Sequence, residues 1–280
     1  MAALSVFVAA EGIESVPAAR RTSAARGTCG GRASAVLMRI EISCDLGEAR
    51  TEEERAVEAR LWTLVDAANV ACGGHVGDRE SMREAVRAAS RNGVILGAHP
   101  SFPDREGFGR RPMEIPPDAL ARSLREQIGV LRGIAEEEGV ELRRVKPHGA
   151  LYNLAHTDEK LASIVAEAVQ ESGWLALVAS PGSALLGAGE RLGLEVIAEA
   201  FGDRRYRNDG SLVPRSEKGA LLLDINEAAA QVERLATLGR VVTAAGEEIP
   251  IRFATVCVHG DMPDAVARVE AIRARLGARG

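Results

Sequence analysis

Leu142-Arg143-Arg144-Val145-Lys146-Pro147-His148-Gly149-Ala150-Leu151-Tyr152-Asn153 is the stretch that decides the fold. Four residues flanked by apolar side chains lead into a cation, an imidazole, a phenol and an amide, and a helix-like run begins near Thr157. Proline lacks an amide hydrogen and glycine favours turns, so residues 146–153 are expected to lie outside regular structure. Strand, polar loop and helix in that order place chemistry at a strand end, on a loop held by a rigid scaffold.

The same order recurs along the chain. Residues 40–44 alternate like a strand and end in Asp45-Leu46-Gly47-Glu48, followed by a charged helix over 52–63. Residues 67–71 are short and apolar and give way to Cys72-Gly73-Gly74-His75-Val76-Gly77-Asp78. Asp78 suits the N-cap of a helix over 79–92, whose Met82, Ala85, Val86 and Ala89 share a face, and Asn92-Gly93 suits its end. Further strands read over 94–98, 175–179, 194–198 and 253–258, further helices over 118–138, 158–171, 226–238 and 263–276, and a small hairpin over 241–251. These make about seven strand–helix units without an internal repeat, which implies a parallel sheet clad in helices. Polar residues follow nearly every strand. That favours a closed barrel over an open sheet, which gathers its ligands at one switch point.

Composition agrees with one large domain. The 280 residues are 46% hydrophobic but only 3% aromatic, so Val, Leu, Ile and Ala must fill the core. A formal net charge of −5 argues against nucleic acid or an anionic membrane as the main partner. No run of apolar residues has the length of a membrane span. Cys29, Cys44, Cys72 and Cys257 are too scattered for a disulfide framework, and three of them fall at strand ends, as reduced thiols of a cytoplasmic protein would. The N-terminal region differs from the rest. Ser, Ala, Gly and Arg dominate residues 17–35, and the apolar residues 2–10 lack the basic start of a secretory signal. Residues 1–37 read as a disordered extension, either a transit-like tail or the product of a start codon placed upstream of Met38, with one barrel domain over 38–280.

Four histidines, His75, His99, His148 and His259, follow strands, while His156 lies further along. Each alone would serve to cap backbone groups; together, beside Asp45, Asp78, Lys146 and Asp261, they read as a site. Asp45 and Glu48 offer a general base and its partner, or ligands. Asp45, His75 and His148 have the chemistry of a divalent metal site, although no HExxH or CxxC spacing accompanies them. Lys146 is either an electrophile for a carbonyl or phosphoryl oxygen or a buried ion pair with Asp45 or Glu199. Arg110, Arg111, Arg204, Arg205 and Arg215 are carboxylate or phosphate clamps, or else solvated charges. No GxxxxGK[ST] phosphate loop occurs. Cys72 is either a nucleophile or a small buried thiol.

The loops at 44–48, 68–78, 97–104, 107–111, 145–153 and 257–261, with Glu199 to Arg204, Tyr206 and Leu212-Val213-Pro214-Arg215, resemble the LamB/YcsF family from about Met38 to Leu276. That resemblance implies a deformed seven-stranded β/α barrel, TIM-like and similar to the polysaccharide deacetylases. It implies the role of the A subunit in an ATP-dependent 5-oxoprolinase, which acts with subunits B and C to open the lactam of 5-oxoproline to glutamate, ATP being the co-substrate. On this reading Asp45 and His75 form the acid/base core. Lys146 and His148 stabilise charge on oxygen, and His259 with Asp261 orients them. Glu48, Asn69, Asp78, His99, Asp104, Arg110, Arg111, Tyr152, Glu199, Asp203, Arg204 and Arg215 form the substrate-binding set. Two other readings fit the same residues: a metal-dependent deacetylase or amidase acting alone, and a scaffold subunit without chemistry. The sequence departs from the family at Ser43, Asp66 and Gly74, all three read here as mouth positions.

Overall fold

The computed structural model describes residues 40–173, 175–262 and 264–277. The expected N-terminal extension and the choice between Met1 and Met38 as the start lie outside the described residues. Seven strands, β1 (Glu41–Leu46), β2 (Ala67–Ala71), β3 (Ile95–His99), β4 (Leu142–Val145), β5 (Ala176–Ala179), β6 (Val196–Phe201) and β9 (Thr255–Cys257), pair in parallel and close into a barrel through β6–β9 and β9–β1. Two short antiparallel strands, β7 (Arg240–Val242) and β8 (Glu248–Pro250), form the expected hairpin beside the barrel. The helices are α1 (Glu52–Leu61), α2 (Arg79–Asn92), α3 (Pro117–Glu137), α4 (Gly149–Leu154), α5 (Glu159–Glu171), α6 (Ala184–Arg191), α7 (Ile225–Leu238) and α8 (Ala265–Leu276). None is long and apolar enough to cross a membrane.

Local chemistry sets the boundaries. The Asp78 side chain accepts hydrogen bonds from the Glu80 and Ser81 amides at the start of α2, and Gly93 ends that helix at φ +66°, where a side chain would be strained. Thr51 and Glu54 form a reciprocal capping box on α1. Ser183 caps α6 and Asp224 caps α7 through their side chains. Two expectations need correction. Residues 146–153 are not wholly irregular, because α4 begins at Gly149 directly after His148 at its N-cap position. β6 also continues past Ala198, since its register with β9 pairs Glu199 with Thr255 and Phe201 with Cys257. Glu199 is therefore a strand residue inside the barrel, not a loop residue.

Strand alternation divides β1 into two faces. Ile42, Cys44 and Leu46 are fully buried among the apolar core residues. Glu41, Ser43 and Asp45 instead meet polar partners from other barrel strands. At one level Arg144 forks onto Glu41 at 2.7 and 2.8 Å. Two residues further along β1, Ser43 lies 3.5 Å from Glu199; two further still, Asp45 meets Lys146. The barrel interior is thus layered and polar, while the apolar core sits largely between the strands and the helices. Alanine, valine, leucine and isoleucine dominate that core, as the low aromatic content requires.

Gly97 makes room for the lowest of these layers. A Cβ there would stand 2.7 Å from both Arg144 Cγ and Asn69 Oδ1, and 3.2 Å from the Ala68 carbonyl. Gly97→Ala is therefore expected to destabilise the protein by about 1–3 kcal/mol, the usual cost of overpacking a filled interior. Urea unfolding of the variant beside the wild type measures it; an unchanged midpoint would mean that the interior yields.

Candidate active site

The C-terminal ends of the strands open on a cavity of about 720 Å³, whose lining includes Asp45, Lys146, His148, Arg215 and His259. Its centre is Lys146. The ammonium lies 3.0 Å from Asp45 Oδ2, 3.1 Å from Glu199 Oε1 and 3.2 Å from Cys257 Sγ, and it is buried. Burial opposes its charge, but Asp45, Cys257 and Glu199 hold its pKa well above the usual lysine value. Both alternatives for Lys146 meet here, since it pairs with Asp45 and Glu199 together and also lines the cavity.

Asp45 is the neighbour of Asn69 in the β1–β2 register, and Asn69 Nδ2 donates to Asp45 Oδ1 at 2.8 Å. Asp45 Oδ2 is 3.3 Å from His99 Nε2. Burial would raise the Asp45 carboxyl; His99 and Lys146 outweigh it and hold the group well below the carboxylate range. Glu199 is raised by burial against the pull of Lys146. Its other oxygen accepts from the Tyr152 hydroxyl at 3.3 Å, and Tyr152 also meets Ser180 Oγ at 2.8 Å.

One side of the cavity is a cluster of imidazoles. His75 and His148 stack at 3.7 Å with an interplanar angle of 3°, and His99 meets both edge-on. Glu48 Oε1 lies 3.0 Å from His75 Nε2 and 3.4 Å from His148 Nδ1. Burial takes the pKa of His75 to about 2 and of His148 to about 3, so both rings are neutral at ordinary pH. His99 goes the other way: burial opposes its charge, and Asp45 outweighs burial to raise it. Glu48 is raised by burial against His148 and His99. The cluster of metal-ligating type is therefore Glu48, His75 and His148, whose donor atoms lie within 4.8 Å of one another. This corrects the expected Asp45, His75 and His148 set, because the Lys146 ammonium and the Asn69 amide already occupy Asp45.

The opposite side joins β6 and β9. His259 Nδ1 is 2.8 Å from Asp203 Oδ1, and the His259 amide donates to Asp203 Oδ2 at 2.8 Å. Burial raises Asp203, but His259 prevails and lowers it. Asp261, expected to act with His259 in orienting the other groups, takes Arg110 at 2.6 Å and Arg215 at 2.9 Å. Burial would raise the Asp261 carboxyl, and Arg215 draws it well below its ordinary range.

Several expected substrate residues do structural work instead. Asp78 is exposed at its helix cap. Asp104 pairs with Arg111 and accepts from the Gly107 amide, which ties the loop after β3 together, and neither Asp104 nor Arg111 lines the cavity, although Arg110 and Pro112 of the same loop do. Arg205 pairs with Glu227. Arg204 donates to the Val213 carbonyl at 2.7 Å, and burial with nearby Arg215 lowers it to about 10. Cys72, Cys44 and Cys257 are buried free thiols, and burial takes Cys72 up to about 12, which removes it as a nucleophile.

The departures at Ser43, Asp66 and Gly74 are also not all at the mouth. Asp66 precedes β2 at the far end of the barrel, where it accepts from the Ile42 amide and pairs with Arg273. Ser43 lies inside the barrel. At Gly74 a Cβ would come within 2.4 Å of Gln127 Oε1 and 2.5 Å of Ser101 Oγ, so those side chains hold the space of a larger residue.

Three contributors are not apparent from the sequence reading. Glu58, in α1, is a half-buried carboxylate that accepts from the amides of Gly47, Glu48 and Ala49 at 2.8 to 3.1 Å and so fixes the Glu48 loop. Its neighbours in α1 are charged and mostly exposed, and no local pattern separates it from them. Phe108 takes φ +54° and offers its carbonyl to His148 Nε2 at 2.9 Å. Ser180 stands directly after β5, a position that could have singled it out.

The LamB/YcsF family profile matches residues 40–280. The lactam utilization protein from Thermus thermophilus is 38% identical, with 86% of this chain and 97% of that chain covered and a TM-score of 0.80. A family 4 carbohydrate esterase from Streptomyces lividans is 12% identical, with 85% and 88% covered and a TM-score of 0.46. With the match spanning every barrel strand and every loop of the cavity, the chain belongs to the LamB/YcsF family.

Proposed function

We propose that this protein is the A subunit of an ATP-dependent 5-oxoprolinase, a hydrolase that opens the lactam of 5-oxo-L-proline to L-glutamate together with subunits B and C. The lactam utilization protein supports the choice of substrate class. The observation that carries the reading is the pairing, on one cavity wall, of a guanidinium rim with a carboxylate-backed imidazole. Arg110 and Arg215 share the single carboxylate of Asp261, so the rim keeps a net positive charge suited to the carboxylate of 5-oxoproline. His259 has Nδ1 committed to Asp203, which leaves Nε2 as the nitrogen for proton transfer.

A lactam carbonyl is a poor electrophile, and phosphorylation of its oxygen by ATP makes the ring carbon attackable. Water then adds to that carbon, giving a proton to His259 Nε2. The C–N bond breaks, the nitrogen takes a proton, and the acyl phosphate so formed is hydrolysed by a second water to glutamate and phosphate. Asp45 and Lys146 act as fixed charges beside this chemistry: an ionised carboxylate to orient water, and an ammonium to hold that carboxylate in place. Asp45 is a poor proton acceptor because its pKa is depressed, so the acid/base role expected for it passes to His259.

In the reconstituted three-subunit assay His259→Ala is expected to lower kcat by about 10²–10⁴-fold, the usual worth of a general acid–base group. Loss of ring opening in Lys146→Ala should accompany it, with ATP and 5-oxoproline at saturation. Wild-type turnover in both variants would leave the chain as a scaffold only. Arg215→Ala is expected to raise KM for 5-oxoproline by roughly 10–100-fold, from loss of charge-assisted hydrogen bonds worth about 1.5–3 kcal/mol. Unchanged KM in steady-state kinetics would remove the rim from substrate binding. The Glu48, His75 and His148 cluster favours one rival reading, a metal-dependent deacetylase or amidase; hydrolysis of an N-acyl sugar by this chain alone, without ATP, would establish it instead.

A further inference from the structure

Lys146 stands between two buried carboxylates, and one cation neutralises only one of them. Asp45 is the better supported: Asn69 Nδ2 donates to it at 2.8 Å and His99 Nε2 lies 3.3 Å away. Glu199 is fully buried, and its partners besides Lys146 are hydroxyls. Ser43 Oγ is 3.5 Å from Oε1, and Tyr152 is the one partner of Oε2 among the described residues, at 3.3 Å. Two like charges at one cation favour a state in which one carboxylate takes a proton, and the less supported Glu199 is the one to take it. Burial acts in the same sense, raising Glu199 while Asp45 stays well below the carboxylate range.

A row of oxygens leads from that carboxyl to the cavity. Glu199 Oε2 meets the Tyr152 hydroxyl, which meets Ser180 Oγ at 2.8 Å, and Tyr152 and Ser180 both line the cavity. A phenol and a serine have one hydroxyl hydrogen each. While Glu199 is ionised, Tyr152 donates to Oε2, Ser180 donates to Tyr152, and no hydrogen is left for the cavity. With a proton on Oε2 the row turns round: Glu199 donates to Tyr152, Tyr152 to Ser180, and the Ser180 hydrogen is released to the cavity.

We propose that Glu199, Tyr152 and Ser180 form a proton relay, with the Ser180 hydroxyl as the acid that protonates the departing lactam nitrogen. It rests on the ring-opening reading, in which His259 takes a proton from water and the nitrogen needs one from elsewhere. As the C–N bond breaks, its electron pair passes to nitrogen, which takes the Ser180 hydrogen. Ser180 takes that of Tyr152, Tyr152 takes the proton of Glu199 Oε2, and Glu199 is left a carboxylate beside the Lys146 ammonium. The carbonyl re-forms on the hydroxyl that water added, whose proton passes to water in the cavity. After the product leaves, solvent reloads Glu199 along the same row. Tyr152 hands the proton on without becoming a phenolate, since burial holds its pKa well above the usual tyrosine value. Phe201 separates the acid from the base: its ring stacks on His259 at 5.7 Å between centroids and meets Tyr152 edge-on at 6.0 Å. A small lactam lying against Phe201 would thus meet the base on one side and the acid on the other.

Two measurements test the relay, one without substrate. Infrared spectra of the full-length chain near neutral pH are expected to show the C=O stretch of a protonated carboxylic acid, lost in Glu199→Gln and shifted in Tyr152→Phe. In the reconstituted three-subunit assay, Tyr152→Phe and Ser180→Ala are each expected to lower kcat by about 10²–10⁴-fold with KM for 5-oxoproline unchanged, since the hydroxyls serve the departing nitrogen alone. The acid works protonated, so wild-type kcat falls as pH rises through the pKa of Glu199, which faces Lys146, Asp45, Tyr152, Cys257 and His259. That alkaline limb should vanish from both variants, whereas loss of a merely structural hydroxyl would lower kcat and leave the limb in place. Circular dichroism checks folding, and the shift in Tyr152→Phe assigns the band if Glu199→Gln does not fold. A wild type without the acid band, wild-type kcat in either hydroxyl variant, or an alkaline limb kept in either would overturn the proposal. If the wild type opens no lactam, the 5-oxoprolinase reading falls and the band alone decides: its absence overturns the relay and its presence supports it.

Discussion

A buried lysine sets the terms for everything around it. Lys146 has three ammonium hydrogens and three acceptors, Asp45, Glu199 and Cys257, which come from β1, β6 and β9. An ion taken out of water is costly, and a buried pair is seldom a net source of stability. Its consequence is geometric. The three strands that carry the acceptors close the barrel against one another, and the ammonium draws the Asp45 and Glu199 carboxylates to one point. Removing the cation alone would leave two buried carboxylates facing each other, a loss of the order of 3–5 kcal/mol for a broken buried pair.

Two of the few aromatic residues flank that point, and a third flanks the imidazoles. The Lys146 ammonium lies 5.4 Å from the Phe201 ring centre and 5.9 Å from that of Tyr152, while Phe108 meets His75 and His148 edge-on. Flat rings beside a cation both attract it and exclude water, which strengthens the charges they surround. Other aromatic residues, Trp62, Phe102 and Tyr206, pack instead among the aliphatic side chains of the core.

Much of the fold was legible because it rests on local patterns. Alternating strand and helix segments, the Asp78 cap and the Gly93 stop are set by neighbours in the sequence, and each appears where it was read. The site was legible as a set of residues and less so as a set of pairs. His259 lies two residues from Asp261 but bonds Asp203, 56 positions away, because β6 and β9 are neighbours in the barrel. Glu48, not Asp45, meets His75 and His148 for a similar reason: Asp45 is held by Lys146, 101 positions distant. Glu58 carried no signal, since a charged helical residue looks alike whether it meets water or three loop amides.

These long-range pairs divide the mouth into two halves with one residue in common. On the β2, β3 and β4 side stand His75 and His148, kept neutral by burial beside Glu48, and His99 beside Asp45. On the β6 and β9 side stand His259 with Asp203, and the guanidiniums with Asp261. Asp45 touches both, reaching His99 with Oδ2 and Lys146 with both oxygens. A group so placed cannot move toward one half without loosening its hold on the other. Its depressed pKa is the electrostatic expression of that constraint, since His99 and Lys146 favour its charge against burial. A carboxylate that remains ionised and still is well suited to hold a water molecule and poorly suited to carry a proton. The proton traffic therefore falls to the side chains that flank it.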